Sequence, residues 1–241
     1  MTRIYQNVPL AIHEKLLLDK TASHHLSVVL RIKVGEVITV FNGQGGEFEA
    51  KITNILKKNV EVTILGFHSV DVESPLVIHL AQGISRGEKM DFTIQKAVEL
   101  GVKKIFPLFT ERSNVKLDKE RSEKRLEHWQ SVIVSACEQS GRNIIPEVSP
   151  IKTLDQALPH FEQTWRFILS PHSGETLKNI PIQKQDNILL FIGPEGGASE
   201  NEMLKVMEHG FQPINLGPRI LRTETAGLAA ISALQALYGD M

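Results

Sequence analysis

Along the first third of the chain polar and apolar positions alternate, and beyond it short apolar runs take turns with stretches of helical period. Residues 37–41 (VITVF) form an apolar run, and Asn42-Gly43 and Gly45-Gly46 follow as turn signals. Residues 47–52 (EFEAKI) and 59–64 (NVEVTI) alternate, which predicts strands with one buried and one wetted face. Several short strands with close turns predict a small all-β barrel over residues 1–70. Residues 67–75 (FHSVDVESP) read as a polar linker ending in proline, and the period changes after it. Strands are predicted at 76–81, 104–109, 165–169, 188–192 and 213–216. Between them, Asp91 reads as the cap of a helix with Ile94, Ala97 and Val98 on one face and Gly101 as its stop. A long helix over 118–139 carries the apolar stripe Leu126, Trp129, Ile133 and Ala136. Strands alternating with helices over residues 71–241 predict an α/β domain on a mostly parallel sheet. On general grounds its crossovers are right-handed and knots are nearly excluded.

Composition changes this picture little. The 241 residues are 41% hydrophobic and 23% charged, as in an ordinary globular chain of one large or two modest domains. The formal net charge is −1, so any nucleic-acid contact must rest on local basic patches. Cys137 is the single cysteine, which excludes an intrachain disulfide and suits a reducing cytoplasm. It lies beside Ala136 and reads as a buried structural thiol. The start of the chain lacks the apolar core of a signal peptide, and no apolar run reaches bilayer length, so a cytoplasmic protein without membrane contact is expected. The nine histidines show no ligand spacing, so no metal is expected.

Two glycine-rich turns point to a site. The run 188–192 ends in GPEGG (193–197), and the run 213–216 ends in GPRILRTETA (217–226). Ser199 with Glu202 is a capping-box pair opening a helix, and Gly210 is a plausible stop. The second turn leads into a helix rich in small residues, among them Ala226, Gly227, Ala229 and Ala230. In open α/β sheets ligands bind at the carboxyl ends of strands. Facing turns of this kind would make a pocket of backbone amides and carbonyls. Phosphate is the usual occupant of a glycine turn before a helix. Here there is no G-x-G-x-x-G and no Walker lysine, and Glu195 stands where an anion would go. A ligand with adenine-like edges and a positive centre fits better, which describes S-adenosylmethionine. The plain alternative is that the glycines only shape tight turns.

GPEGG followed by LGPRILRTETA resembles the C-terminal signature of the knotted, SPOUT-type RNA methyltransferases. The chain is most similar to the RsmE family, which methylates N3 of one uridine in small-subunit ribosomal RNA; the likeness covers 25–51, 96–112, 138–142 and 187–238. The resemblance implies a PUA-like β-barrel that helps to hold RNA over 1–70, and over 71–241 a SPOUT domain with a C-terminal trefoil knot, against the general prior. It implies S-adenosylmethionine as methyl donor, S-adenosylhomocysteine as product, a homodimer, and 16S ribosomal RNA, within the small ribosomal subunit, as substrate. The donor's contacts are expected from Leu169, Ser170, Pro171, Ile192, Gly193, Gly197, Leu216, Gly217, Ile220, Leu221, Arg222, Thr223 and Ala226. For the apolar members, ordinary core packing is the alternative. Methylating a uracil nitrogen requires loss of the N3 proton, so a base or a group that stabilises the uridine anion is needed. Arg112, Arg142 and Arg222 are candidates for the second role, and Glu138 and Glu224 for the first. Glu224 opens a helix, where the dipole favours its ionised form and weakens it as a base. Arg112→Ala and Arg142→Ala are expected to reduce methylation without unfolding the protein. In the first domain Arg3, His24, His25, Arg31 and Lys33 are candidate RNA contacts, with ordinary surface as the alternative. The mixed charges of 119–127 read as a solvated helix face.

Overall fold

Both alternating stretches of the first third become strands, because their apolar positions all fall on one face. The computed structural model describes residues 2–57, 59–113, 115, 118–170 and 175–241. Strands β1 (Arg3–Tyr5), β2 (Lys15–Leu17), β3 (Val37–Phe41), β4 (Glu47–Leu56) and β5 (Asn59–His68) form one sheet in the order β1-β3-β4-β5-β2. β1 pairs with β3 in parallel, and the other ladders are antiparallel. Ile38, Val40, Ala50, Ile52, Val60, Val62 and Ile64 point to one core with Leu26. Leu26 comes from a π-helical turn (His25–Val29) that continues helix α1 (Lys20–His24). Asp19 caps α1 by accepting the Ala22 N–H at 2.9 Å. Among the described residues no ladder joins β1 to β2 to close the expected barrel. The Gln6 side chain spans the gap instead, donating to Asp19 Oδ2 at 2.7 Å and accepting the Asp19 N–H at 2.9 Å.

This first compact unit holds Met1–Glu73 together with Cys137–Ile145. The returning segment is tied in by charge. Arg142 is 3% exposed, and its Nε and Nη2 donate to the two Glu73 carboxylate oxygens at 2.8 and 2.5 Å. The Arg3 guanidinium pairs with Glu47, donates to Asn143 Oδ1 (2.5 Å) and Gly141 O (3.2 Å), and lies over the Phe41 ring. Burial pushes the Cys137 thiol up to about 12, so it stays a protonated, packed group.

The second unit, Ser74–Ala136 and Pro146–Met241, is built on seven strands. They are β6 (Val77–Gly83), β7 (Lys104–Phe109), β8 (Glu147–Val148), β9 (Lys152–Thr153), β10 (Trp165–Leu169), β11 (Asn187–Ile192) and β12 (Gln212–Ile214). The order is β12-β10-β11-β6-β7-β8, with β9 also on β7, and these ladders are parallel. A strand buried on both faces reads as a continuous apolar run, and NILLFI of β11 is buried from Ile188 onward. Helices α2 (Glu88–Glu99), α3 (Lys119–Ser140), α4 (Leu154–Ala157), α5 (Glu200–Glu208) and α6 (Thr223–Tyr238) join the strands. Asp91 is not the cap expected of it: α2 begins three residues earlier after Gly87, at φ 59. The Asp91 carboxylate instead accepts the Trp129 Nε1–H at 3.1 Å and meets His128 Nε2 at 2.6 Å, fixing α3 on α2. Gln235 of α6 accepts the Ser74 hydroxyl and donates to Leu100 O, so the last helix is held to the start of the unit. Because β10, β11 and β12 run parallel side by side, their carboxyl ends emerge at one edge of the sheet.

Candidate functional site

That edge carries a cavity of about 500 Å³, within the range of small-molecule sites. It is lined from the end of β10 (Ile168–Ser170), from the end of β11 and the turn after it (residues 191–198), from Met203 of α5, and from Ile214, residues 216–217, 219–223 and Ala226. Every expected donor contact within the described residues lies on this wall: Leu169, Ser170, Ile192, Gly193, Gly197, Leu216, Gly217, Ile220, Leu221, Arg222, Thr223 and Ala226. Pro171 lies outside the described residues.

Local chemistry explains how the turns hold their shape. A Cβ on Gly193 would stand 2.6 Å from Ala198 N and 2.8 Å from Gly197 C, so no other residue lets the turn close on itself. Gly197 and Gly217 have φ of +70 and +104, and a Cβ on either would meet nothing within 4 Å, so their bare faces look into open space. The Thr223 hydroxyl donates to Gly193 O at 2.6 Å and accepts from Gln82 Nε2 at 3.0 Å, which fastens the start of α6 to the end of β11. Ser199 and Glu202 make the expected capping box. Glu202 is 2% exposed and also accepts the Glu111 N–H at 2.8 Å, which brings the 110–113 loop onto the head of α5.

Arg112, on that loop, donates from Nη1 to Gly196 O at 3.0 Å and to Ala198 O at 3.4 Å. Glu195 accepts the Arg86 N–H at 3.1 Å and faces Lys89 Nζ at 3.6 Å. Burial works to raise its carboxyl, but these amides and the lysine hold it below the ordinary carboxylate value. Glu224 opens α6, and its Oε2 is buried with no hydrogen-bond partner among the described residues.

The remaining candidates stand elsewhere. Glu138 and Arg142 belong to the first unit and are not among the cavity's lining residues. Glu138 accepts the Tyr5 N–H at 2.9 Å, and burial raises its carboxyl. Arg142 lies in a loop, as expected, but is buried and locked in the Glu73 pair, so its removal would strand a buried carboxylate. Arg3 is likewise committed to Glu47 and Asn143, whereas His25, Arg31 and Lys33 are exposed. Sequence reading missed Gln82, the amide behind Thr223. Its signal was a buried amide at the carboxyl end of a mostly apolar strand. Among the described residues no group of histidine, cysteine and carboxylates could hold a metal ion, and no helix is long and apolar enough to cross a membrane.

Known proteins share this arrangement. Residues 72–235 match the RNA methyltransferase domain family, and 18–65 match the RNA methyltransferase PUA domain family. A relative from Buchnera aphidicola named ribosomal RNA small subunit methyltransferase E is 42% identical over 99% of this chain and 97% of its own. The solved structure of a ribosomal RNA small subunit methyltransferase E from Neisseria gonorrhoeae, bound to S-adenosylmethionine, superposes with a TM-score of 0.93 at 43% identity, covering 100% of this chain and 99% of that one. A Legionella pneumophila protein solved with the cofactor S-adenosylmethionine gives 0.97 at 46% identity, covering 100% of this chain and 99% of that one.

Proposed function

The chain belongs to the ribosomal RNA small subunit methyltransferase E family, and from that premise we propose that it moves the methyl group of S-adenosylmethionine to N3 of a uridine in 16S ribosomal RNA, leaving S-adenosylhomocysteine. The observation that carries this reading is the cavity at the ends of β10, β11 and β12, whose turns are closed by glycine and fastened by Thr223 on Gly193. Its residues fit the donor. The two glycines of positive φ leave backbone bare toward open space, and Ile192, Leu216 and Leu221 offer apolar faces to a flat ring. A carboxylate in the wall, Glu195, suits a cationic ligand and opposes a phosphate.

When bound, the donor supplies an electrophilic methyl on a sulfonium. The protein's part is position and exclusion. The wall holds the donor in one pose and keeps water out; alignment of this kind accounts for up to about 7–11 kcal/mol of a barrier in favourable cases. Neither proton acceptor is among the lining residues. Glu224 follows Thr223 of the wall in sequence and its Oε2 is buried without a partner among the described residues, whereas Glu138 belongs to the first unit and already holds the Tyr5 amide. Arg222, on the wall, and Arg112, against it, carry charge suited either to the developing uracil oxyanion or to a phosphate beside it.

The family relation supports the larger expectations too: a trefoil knot in the last strands and helix, a homodimer, RNA contact by the first unit through His25, Arg31 and Lys33, and action on the small subunit in the cytoplasm. Two measurements test the reading. Calorimetry with S-adenosylmethionine should give saturable one-site binding, and a folded protein that ignores the donor would defeat the enzyme. Mass spectrometry of ribosomal RNA nucleosides from a deletion strain should show loss of 3-methyluridine, and loss of a different mark would defeat the acceptor assignment.

A further inference from the structure

The chain's net charge is −1, yet the cavity is edged with cations. Among its lining residues Arg219 and Arg222 are basic, both exposed, and Glu195 is the one acid. The 194–198 turn brings two more: Arg112, donating to Gly196 O and Ala198 O, and Lys89, 3.6 Å from Glu195 and 41% exposed at its side chain. Scattered surface cations mean little. Two of these four line the apolar-walled cavity, and the other two hold the turn that forms part of its wall. A guanidinium presents five N–H donors, more than the two carbonyls beside Arg112 use.

A base reaches such a cavity only after it leaves its stack. The phosphates on either side of it then lie against the opening. We infer that Lys89, Arg112, Arg219 and Arg222 form a rim that grips the phosphodiester backbone of single-stranded RNA on either side of the nucleotide whose base enters, and that Glu195, inside the rim, turns phosphate away from the cavity. The inference deepens the methyl-transfer reading and rests on it for the entering base. It assigns backbone contact to the second unit, where the sequence had suggested the first.

The test is fluorescence anisotropy with a labelled single-stranded uridine-containing oligoribonucleotide, titrated over a series of potassium chloride concentrations. Each phosphate contact to a single strand contributes about 0.7 to the slope of log affinity against log salt. Substituting all four rim cations with glutamine should therefore lower that slope by up to about 3 and weaken binding more than about tenfold at moderate salt. The single variants Arg219→Gln and Arg222→Gln should each lower the slope by about 0.7, which keeps the test open should the fourfold variant fold poorly. Arg112→Lys, which keeps the charge, should hold the slope that Arg112→Gln loses; equal loss in both reduces Arg112 to a strut for the turn and removes it from the rim. Glu195→Gln should tighten RNA binding. An unchanged slope in the fourfold variant, loss of the whole slope in Arg31→Gln/Lys33→Gln instead, or no RNA binding by the wild type at any salt overturns the proposal. Donor calorimetry on the same preparations separates the two claims. Rim-dependent RNA binding without donor binding defeats the methyl-transfer reading alone, and donor binding with rim-independent RNA binding defeats the rim alone.

Discussion

Arg142 shows what a residue's type conceals. In sequence it is a cation in a loop after a helix, the setting of many substrate contacts. In the fold it meets Glu73, 69 positions away, through a two-point fork that leaves it 3% exposed. Nothing local encodes that partner. Two buried charges gain little over a well-packed apolar pair, but removing one strands the other, at about 3–5 kcal/mol. Arg142→Ala should therefore lower the unfolding free energy of the first unit, read from urea titration, by that order, whereas Arg142→Met with Glu73→Leu should recover most of it. An alanine variant with wild-type stability would show that the Glu73 pair does not hold the first unit together. By contrast, most of the cavity-wall residues were legible because they cluster in short stretches. Glycine, proline and a capping box in two short stretches announce where strands end, and the parallel sheet places those ends together.

At the scale of elements, β7 and the long helix are where their periods predict them, because each carries its own pattern over many residues. The segments that escaped notice are short: β1, β2, β8 and β9 are three residues or fewer, and α4 has four. Elements that small are stabilised by neighbours, not by propensity. Two glycines separate a turn's demands from a helix's. Gly193 has backbone at 2.6 Å where a Cβ would go, and Gly227 of α6 has only the Ile192 Cγ1 atom at 3.4 Å and side-chain atoms at 3.8 Å. Gly193→Ala must open the turn after β11. Overpacking of this kind costs about 1–3 kcal/mol, so donor affinity should fall on the order of ten- to a hundredfold. Gly227→Ala fits and removes chain entropy from the unfolded state, so it should be neutral or stabilising by up to about 1 kcal/mol. Thermal melting and donor titration of the two variants check both signs; equal loss in both would mean the turn's closure is not what shapes the cavity.

For the whole molecule, the two-part plan was readable from the change of period near residue 70, but the return of Cys137–Ile145 to the first unit was not, since α3 runs through that boundary without a change of pattern. The plan has a thermodynamic consequence. The cavity draws its wall from three separated stretches of the second unit, 168–170, 191–203 and 214–226. A ligand held by all three binds only when the carboxyl ends of β10, β11 and β12 are in place, and so binds the folded state alone. Mass action then gives about 2.7 kcal/mol of added stability at a donor concentration about 100 times the dissociation constant. Amide exchange should slow in those stretches and in β6, whose Gln82 stands behind Thr223, because opening any one of them now requires release of the donor. The first unit, Met1–Glu73 with Cys137–Ile145, supplies none of the lining residues, and exchange at Ile38, Val40, Val60 and Val62 in its core should be unchanged. Hydrogen exchange read by mass spectrometry, with and without saturating S-adenosylmethionine, measures both halves at once. Protection centred on the first unit, or no protection at saturation, would show that the donor sits somewhere other than at the ends of these three strands.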